Sequence, residues 1–362
     1  MHMADALLSV AVGGTMYAAS AAAIGYSIAK IKKDEFYEKK IPIMAVAGAF
    51  IFAAQMIDIA IPGTGSSGHI GGGILLAALL GAFPALLTIS AVLIIQCLFF
   101  ADGGLLALGS NIFNLGVIPC LFVYPLLFRP ILKKEITPKA IWIASIAAVV
   151  VGLQLGAFGV VLQTQASGIT ALPFATFALF MQPIHLLIGI GEGIITASVL
   201  CFVYKMQPEI LDRNTMLHES CSRDRDSGQE QAQGDESGAR KKAPLGNLII
   251  TLAIITIAVG GGVSIFTSTN PTGLEWAIER TAGAGAEELE SNEPLTERLA
   301  IIQETTAFMP DYDYRFAGED GSLTGTSVAG IAGSILTFLL AGGIAWGISA
   351  VKKKRRSRAA AS

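Results

Sequence analysis

The stretch from 70 to 101 limits this chain more than any other, because about 32 positions pass there without a single charge. That is too long for one untilted membrane span and short for two, since a span takes roughly 20 apolar residues. Gly81 and Pro84 interrupt the run near its middle, so it reads as two short or re-entrant helices. Irregular backbone at that depth is tolerated where it lines a protein cavity. The rest of the chain is made of similar material: 52% of its 362 residues are hydrophobic and 15% are charged. A soluble domain would carry about a quarter charged residues. The expected fold class is therefore an all-α integral membrane protein, and no basic stripe points to nucleic acid.

Further spans are expected at 7–29, 42–61, from the Asn111 region to about 128, at 140–162, 173–204, 245–267 and 326–350. Lys30, Lys32, Lys33, Lys39 and Lys40 form one basic loop; Arg129, Lys133, Lys134 and Lys139 form a second. Cytoplasmic loops carry such an excess. Two helices within 70–101 put both loops on one side, whereas one helix would put them on opposite sides. The count then gives a seven-helix core over residues 1–205 with its amino terminus outside. Residues 206–244 are polar and carry nothing larger than Ala as an apolar side chain from Ser222 to Lys242, which reads as a flexible cytoplasmic linker. Residues 245–362 then form a two-helix hairpin around an external acidic segment, 268–324. Lys352, Lys353, Lys354, Arg355, Arg356 and Arg358 close the chain on the cytoplasmic side. Such a linker marks a fusion of parts that can be separate chains.

Four histidines carry most of the available chemistry. His2 behind a free amino terminus is a chelator: the amine of Met1, the amide nitrogen of His2 and the His2 imidazole close fused rings around one ion. A fourth nitrogen from elsewhere completes a square, and square-planar nitrogen sites suit Ni(II) or Cu(II) rather than Zn. The amino terminus lacks the basic start of a signal peptide and carries Asp5 instead. The bulky His2 also disfavours removal of Met1. His69, in a glycine-rich turn after Pro62, falls on the same outer side as Met1 by the topology above; alone, such a histidine is usually incidental. His185 and Glu192 lie two helical turns apart on one face, and ionisable groups inside a span are costly. They read as structural or supporting groups in preference to direct ligands. Asn111 and Asn114 are candidates to hydrogen-bond an inserted terminus, because outer groups orient metal ligands. Gln55, Asp58, Gln96 and Asp102 are weaker candidates of the same kind, Met3, Met56 and Met181 are read as packing residues, and His218 as a solvated linker residue. Cys97, Cys120, Cys201 and Cys221 are scattered and suggest neither a disulfide framework nor a zinc site. No G-x-x-x-x-G-K-[ST] phosphate loop is present, so no ATPase activity is expected of this chain.

Four segments carry a family resemblance: Met1-His2-Met3-Ala4-Asp5-Ala6-Leu7-Leu8-Ser9, the Gly68-His69-Ile70-Gly71-Gly72-Gly73 turn, Asn111-Ile112-Phe113-Asn114, and His185 through Glu192. Together they resemble the CbiM/NikM family, the substrate-capture subunits of energy-coupling factor transporters for cobalt or nickel. The resemblance covers residues 1 to about 205. Residues 245–350 resemble the small CbiN/NikN accessory subunit, with its Pro-Asp-Gly-Leu-Glu signature appearing as Pro271-Thr272-Gly273-Leu274-Glu275. The resemblance implies a seven-helix core whose amino terminus tucks into the outer cavity. It implies that Met1 and His2 supply three nitrogens and His69 the fourth, to a nickel or cobalt ion that is the transported substrate. It also implies a transmembrane coupling subunit and cytoplasmic ATP-binding subunits as partners, with the small face around Ala18 and Ala22 of the first span as a docking surface. The cell membrane is the expected location and the chain is not expected to be an enzyme. A gradient-driven metal permease is the competing reading; it predicts inverted repeats and a transmembrane series of acidic residues, and the sequence offers neither. A metal-dependent membrane enzyme needs an open coordination position and a general base, which a closed four-nitrogen square argues against.

Overall fold

Every long apolar run is helical over most of its length, because a backbone in lipid must satisfy its hydrogen bonds within the segment. The computed structural model describes residues 2–34, 37–216, 244–283, 294–315 and 323–361. Met1, His218, Cys221 and most of the expected linker lie outside the described residues. Helix α1 (Val10–Ile31) starts at Ser9, whose hydroxyl accepts from the Val12 N–H. Helix α2 (Ile41–Gln55) leads to a two-stranded hairpin, β1 (Ile59–Ile61) and β2 (Ser66–Gly68). Then follow α3 (Gly73–Leu80), α4 (Ala82–Phe100), α5 (Leu108–Lys134), α6 (Pro138–Ser167), α7 (Phe174–Met206) and α8 (Pro208–Met216). The second module contributes α9 (Leu245–Gly261), α10 (Gly273–Ala282), α11 (Pro294–Thr306) and α12 (Leu323–Ala361). The fold is all-α apart from the hairpin, and five stretches are long and apolar enough to cross a membrane: Ala82–Phe100, Leu108–Lys134, Pro138–Ser167, Phe174–Met206 and Thr324–Lys354.

The 70–101 run breaks at Gly81, which has φ 85; Pro84 falls in the first turn of α4, where a missing N–H costs little. The two pieces are unequal, 8 and 19 residues. Helix α3 is only about 12 Å long. Its C-terminal end nevertheless reaches Lys40 and Asn214, with Asn214 Nδ2 donating to Ala78 O at 3.0 Å and Leu79 O at 2.8 Å. Residues His69 to Gly72 lead into α3 without helical hydrogen bonding, and Gly72 at φ 78 turns the chain into its first turn. This crossing is therefore part helix and part irregular chain, and its unpaired backbone groups need partners from other helices.

Three boundaries differ from the sequence reading. Helix α2 stops at Gln55 rather than near 61, because Gly63 and Gly65, both at positive φ, close the β1–β2 turn and pull 59–61 into a strand. Helix α5 continues past 128 to Lys134, with widened π-type hydrogen bonding over Phe113–Phe128, where Pro119 and Pro125 each lack an N–H. Residues 208–216, assigned by composition to the linker, are helical; Leu211 is buried and Asn214 caps α3. Helices α9 and α12 pack against each other and against α2. Small residues permit the approach: Gly330 lies on Gly260, and Ser334 donates to Ala49 O at 3.3 Å.

Candidate metal centre

The chain start is threaded into the bundle rather than left in solvent. The Met3 N–H donates to Asn111 Oδ1 at 2.7 Å, and Asn111 Nδ2 donates to Met3 O at 3.2 Å. The Gly104 N–H donates to the same carbonyl at 2.8 Å. Asp5 Oδ1 accepts from the Ala107 N–H at 2.9 Å, and Met3, Leu7 and Leu8 are fully buried. One asparagine thus pairs with both backbone groups of the residue next to His2, much as a neighbouring strand would.

His2 Nδ1 lies 2.9 Å from Asp102 Oδ1, and the His2 ring stacks on His69 at 5.1 Å with 14° between planes. His69 Nδ1 lies 3.0 Å from Ile70 O. A carbonyl only accepts, so Nδ1 of His69 carries the proton and its Nε2 keeps the lone pair that a metal needs. Burial opposes charge on Asp102, but His2 and the hydroxyl of Tyr312 outweigh it and hold the carboxyl below the usual carboxylate range. A neutral imidazole beside an ionised carboxylate suits an incoming cation. Closing a chelate ring with its own amide nitrogen requires Nδ1 of His2, the nitrogen now held by Asp102. Among the described residues no group of three His, Cys, Asp or Glu side chains converges to hold an ion. Met1, the other expected source of nitrogen, lies outside the described residues.

The turn after His69 is held from three sides. Both oxygens of Glu192 accept, from the N–H groups of Gly71 and Gly72, each at 2.8 Å. Gln55 Nε2 donates to Gly71 O at 3.0 Å, and Gln96 donates in turn to Gln55 Oε1 at 2.9 Å. Gly72 has φ 78, and a Cβ there would fall 2.8 Å from Ile51. His185 and Glu192 do not bond each other: seven residues span about 10 Å along a helix. His185 donates instead through Nδ1 to Met181 O at 2.8 Å. Asn114 pairs with Gln163 at 3.0 Å and meets only the Met3 sulfur, at 3.9 Å.

The second module lies over this end of the core. Its chain before α10 joins the edge of β2, with the Ser67 N–H donating to Pro271 O at 2.8 Å. Asp58 N–H donates to Thr267 Oγ1 at 2.8 Å and Trp276 Nε1 to Thr64 O at 3.0 Å. Tyr312 donates to Asp102 Oδ2, and its ring stacks on Phe100 at 5.1 Å. Gln303 Nε2 donates to Gly103 O at 2.6 Å and Cys97 O at 3.0 Å, pinning the Asp102 loop. The sequence reading ranked Asp102 low and did not single out Tyr312, Gln303 or Gln163. A lone carboxylate at the end of a charge-free run was the signal available for Asp102. Tyr312 and Gln303 are about 200 residues away from their partners, and no local pattern announces them.

The family described as "Cobalt uptake substrate-specific transmembrane region", CbiM, matches residues 2–210, and the PDGLE domain matches residues 246–350. A protein of Archaeoglobus fulgidus, named for fused nickel transport as NikMN, is 34% identical over 220 residues, covering 59% of this chain and 68% of that protein. The cobalt transport protein CbiM of Sorangium cellulosum is 29% identical over 188 residues, covering 51% of this chain and 80% of its own length. A solved structure described as a transition metal transporter aligns with TM-score 0.50 at 28% identity, over 60% of this chain and all of that one.

Proposed function

The chain belongs to the CbiM family, as a CbiM region joined to a PDGLE domain, and it is a membrane component of cobalt or nickel transport; from that premise we propose that it captures nickel for an ATP-driven importer of the energy-coupling factor type. In this reading His2 and His69 are the side-chain ligands. The His2 amide and the Met1 amine complete a nitrogen square. The observation that supports it is the stacking of His2 on His69 beside Asp102, at the end of a terminus that Asn111 holds in place. Binding exchanges the Asp102 hydrogen bond on His2 Nδ1 for a bond to the ion. Asp102 stays beside the complex as counter-charge.

Nickel is preferred over cobalt in this reading because an amide nitrogen must lose its proton to bind, and a strong square-planar preference offsets that cost. Energy comes from separate cytoplasmic ATP-binding subunits through a transmembrane coupling subunit. The exposed Ala18 and Ala22 face of α1 is the surface proposed for that docking. The test is equilibrium titration of the purified full chain with nickel(II), in competition with cobalt(II), together with uptake in cells with and without the partner subunits. Tight binding of one nickel per chain with the absorbance of a planar site, and uptake only when the partners are present, is the expected result. Uptake by this chain alone, insensitive to ATP depletion, would replace the reading with a permease.

A further inference from the structure

His185 is left unexplained by the capture site. It is 1% exposed in the middle of α7, and its Nδ1 is committed to Met181 O. That fixes the proton on Nδ1 and leaves the lone pair on Nε2. Among the described residues Nε2 has no hydrogen-bond partner. An orphaned buried polar atom costs about 1–3 kcal/mol, and its position shows where a partner belongs. The ring borders a small cavity of about 10 Å³, room for roughly one water-sized sphere, whose walls include His69, His185, Ile188, Leu153 and Gly273. Of the other lining residues only Thr272 has a polar side chain, so the two histidines supply the side-chain nitrogens of this lining. Gly273 closes it from the second module: a Cβ there would fall 2.7 Å from Ile188 and 3.3 Å from the His185 ring. The sequence reading gave His185 a supporting role; the geometry gives it an open ligand position.

We infer that His185 is a receiving ligand for the metal cargo, sharing the ion with His69 in this cavity after it leaves His2. The inference rests on the capture reading above, since it needs an ion to be delivered to His69. His69 belongs to both places: its ring stacks on His2 and its side chain lines the cavity with His185. Its neighbours Gly71 and Gly72 are fixed by Glu192, so the backbone stays while the ring exchanges partners. No bond to the chain is made or broken; one imidazole nitrogen replaces another on a divalent cation. With fewer nitrogens than the capture square, the second position holds the ion more weakly, which is what onward movement requires.

Cobalt(II) titration of the purified full chain tests this, read by visible absorbance. Wild type is expected to bind tightly, and His2→Ala about 100-fold more weakly. Adding His185→Ala to His2→Ala should weaken that residual binding by a further tenfold or more. His185→Asn keeps a donor for Met181 O but lacks the outer nitrogen. It should give the same loss on the His2→Ala background with an unchanged thermal midpoint, which separates ligation from packing. Residual binding unaltered by either change at His185, or a folded His2→Ala protein that binds no cobalt, overturns the inference. Tight wild-type binding that does not depend on His2 instead overturns the capture reading, whatever His185 does.

Discussion

Helices α6 and α7 and the crossing from His69 to Leu80 solve the same problem in opposite ways. The first two run for 30 and 33 residues and pair nearly all their backbone groups internally. The Thr137 hydroxyl accepts from the Ala140 N–H at one end of α6, and Gly168 at φ 63 ends it. Their outer faces carry Leu155, Phe158, Leu179 and Leu187, all exposed to what would be lipid. The His69–Leu80 crossing has eight helical residues and borrows the rest of its hydrogen bonds from Glu192, Gln55 and Asn214. Regular spans need no backbone partners from their neighbours, which leaves α7 free to lend Glu192 to the broken one. The broken one ties four helices together, and the proposed ligand positions gather where it begins.

Mutations can break or sharpen that contrast. Glu192→Ala should have the largest effect, because it orphans the N–H groups of Gly71 and Gly72 at about 1–3 kcal/mol each. A large drop in thermal midpoint in detergent is expected, together with loss of metal affinity; an unchanged midpoint would mean the turn holds itself. Gly72→Ala adds a side chain at φ 78 and against Ile51, worth about 1–2 kcal/mol for the backbone alone. It should lower the same midpoint, while Gly14→Ala, in open space on regular α1, should not. Asn111→Ala releases Met3 and should weaken nickel binding about tenfold with a smaller change in stability. Tyr312→Phe removes one hydrogen bond to Asp102, about 1 kcal/mol; a several-fold change in the rate or affinity of nickel capture is expected. At the other extreme, Phe158→Leu on the outward face of α6 should leave midpoint and binding within error.

Charge-free runs and basic loops were enough to read an all-α membrane fold and the break at Gly81 from sequence. Boundaries failed where a distant partner decided them. Residues 208–216 look like linker by composition, yet Asn214 finds the open carbonyls at the end of α3. The candidate site was legible in part. His2, His69 and Asn111 fall together, as their positions at one end of the topology imply. Helical spacing put His185 and Glu192 on one face, but spacing along a single helix cannot name a partner on another. Glu192 turned to the Gly71–Gly72 turn and His185 to its own helix and a cavity. Tyr312 reaches Asp102 only because the second module folds back over the core.

The central claim is that two imidazoles far apart in sequence capture one ion. Nickel(II) titration of the purified wild-type chain beside His2→Ala and His69→Ala tests it most directly. The account predicts one tightly bound ion per wild-type chain and a loss on the order of 100-fold or more in each variant, with folding retained. Wild-type affinity surviving in either variant would contradict it.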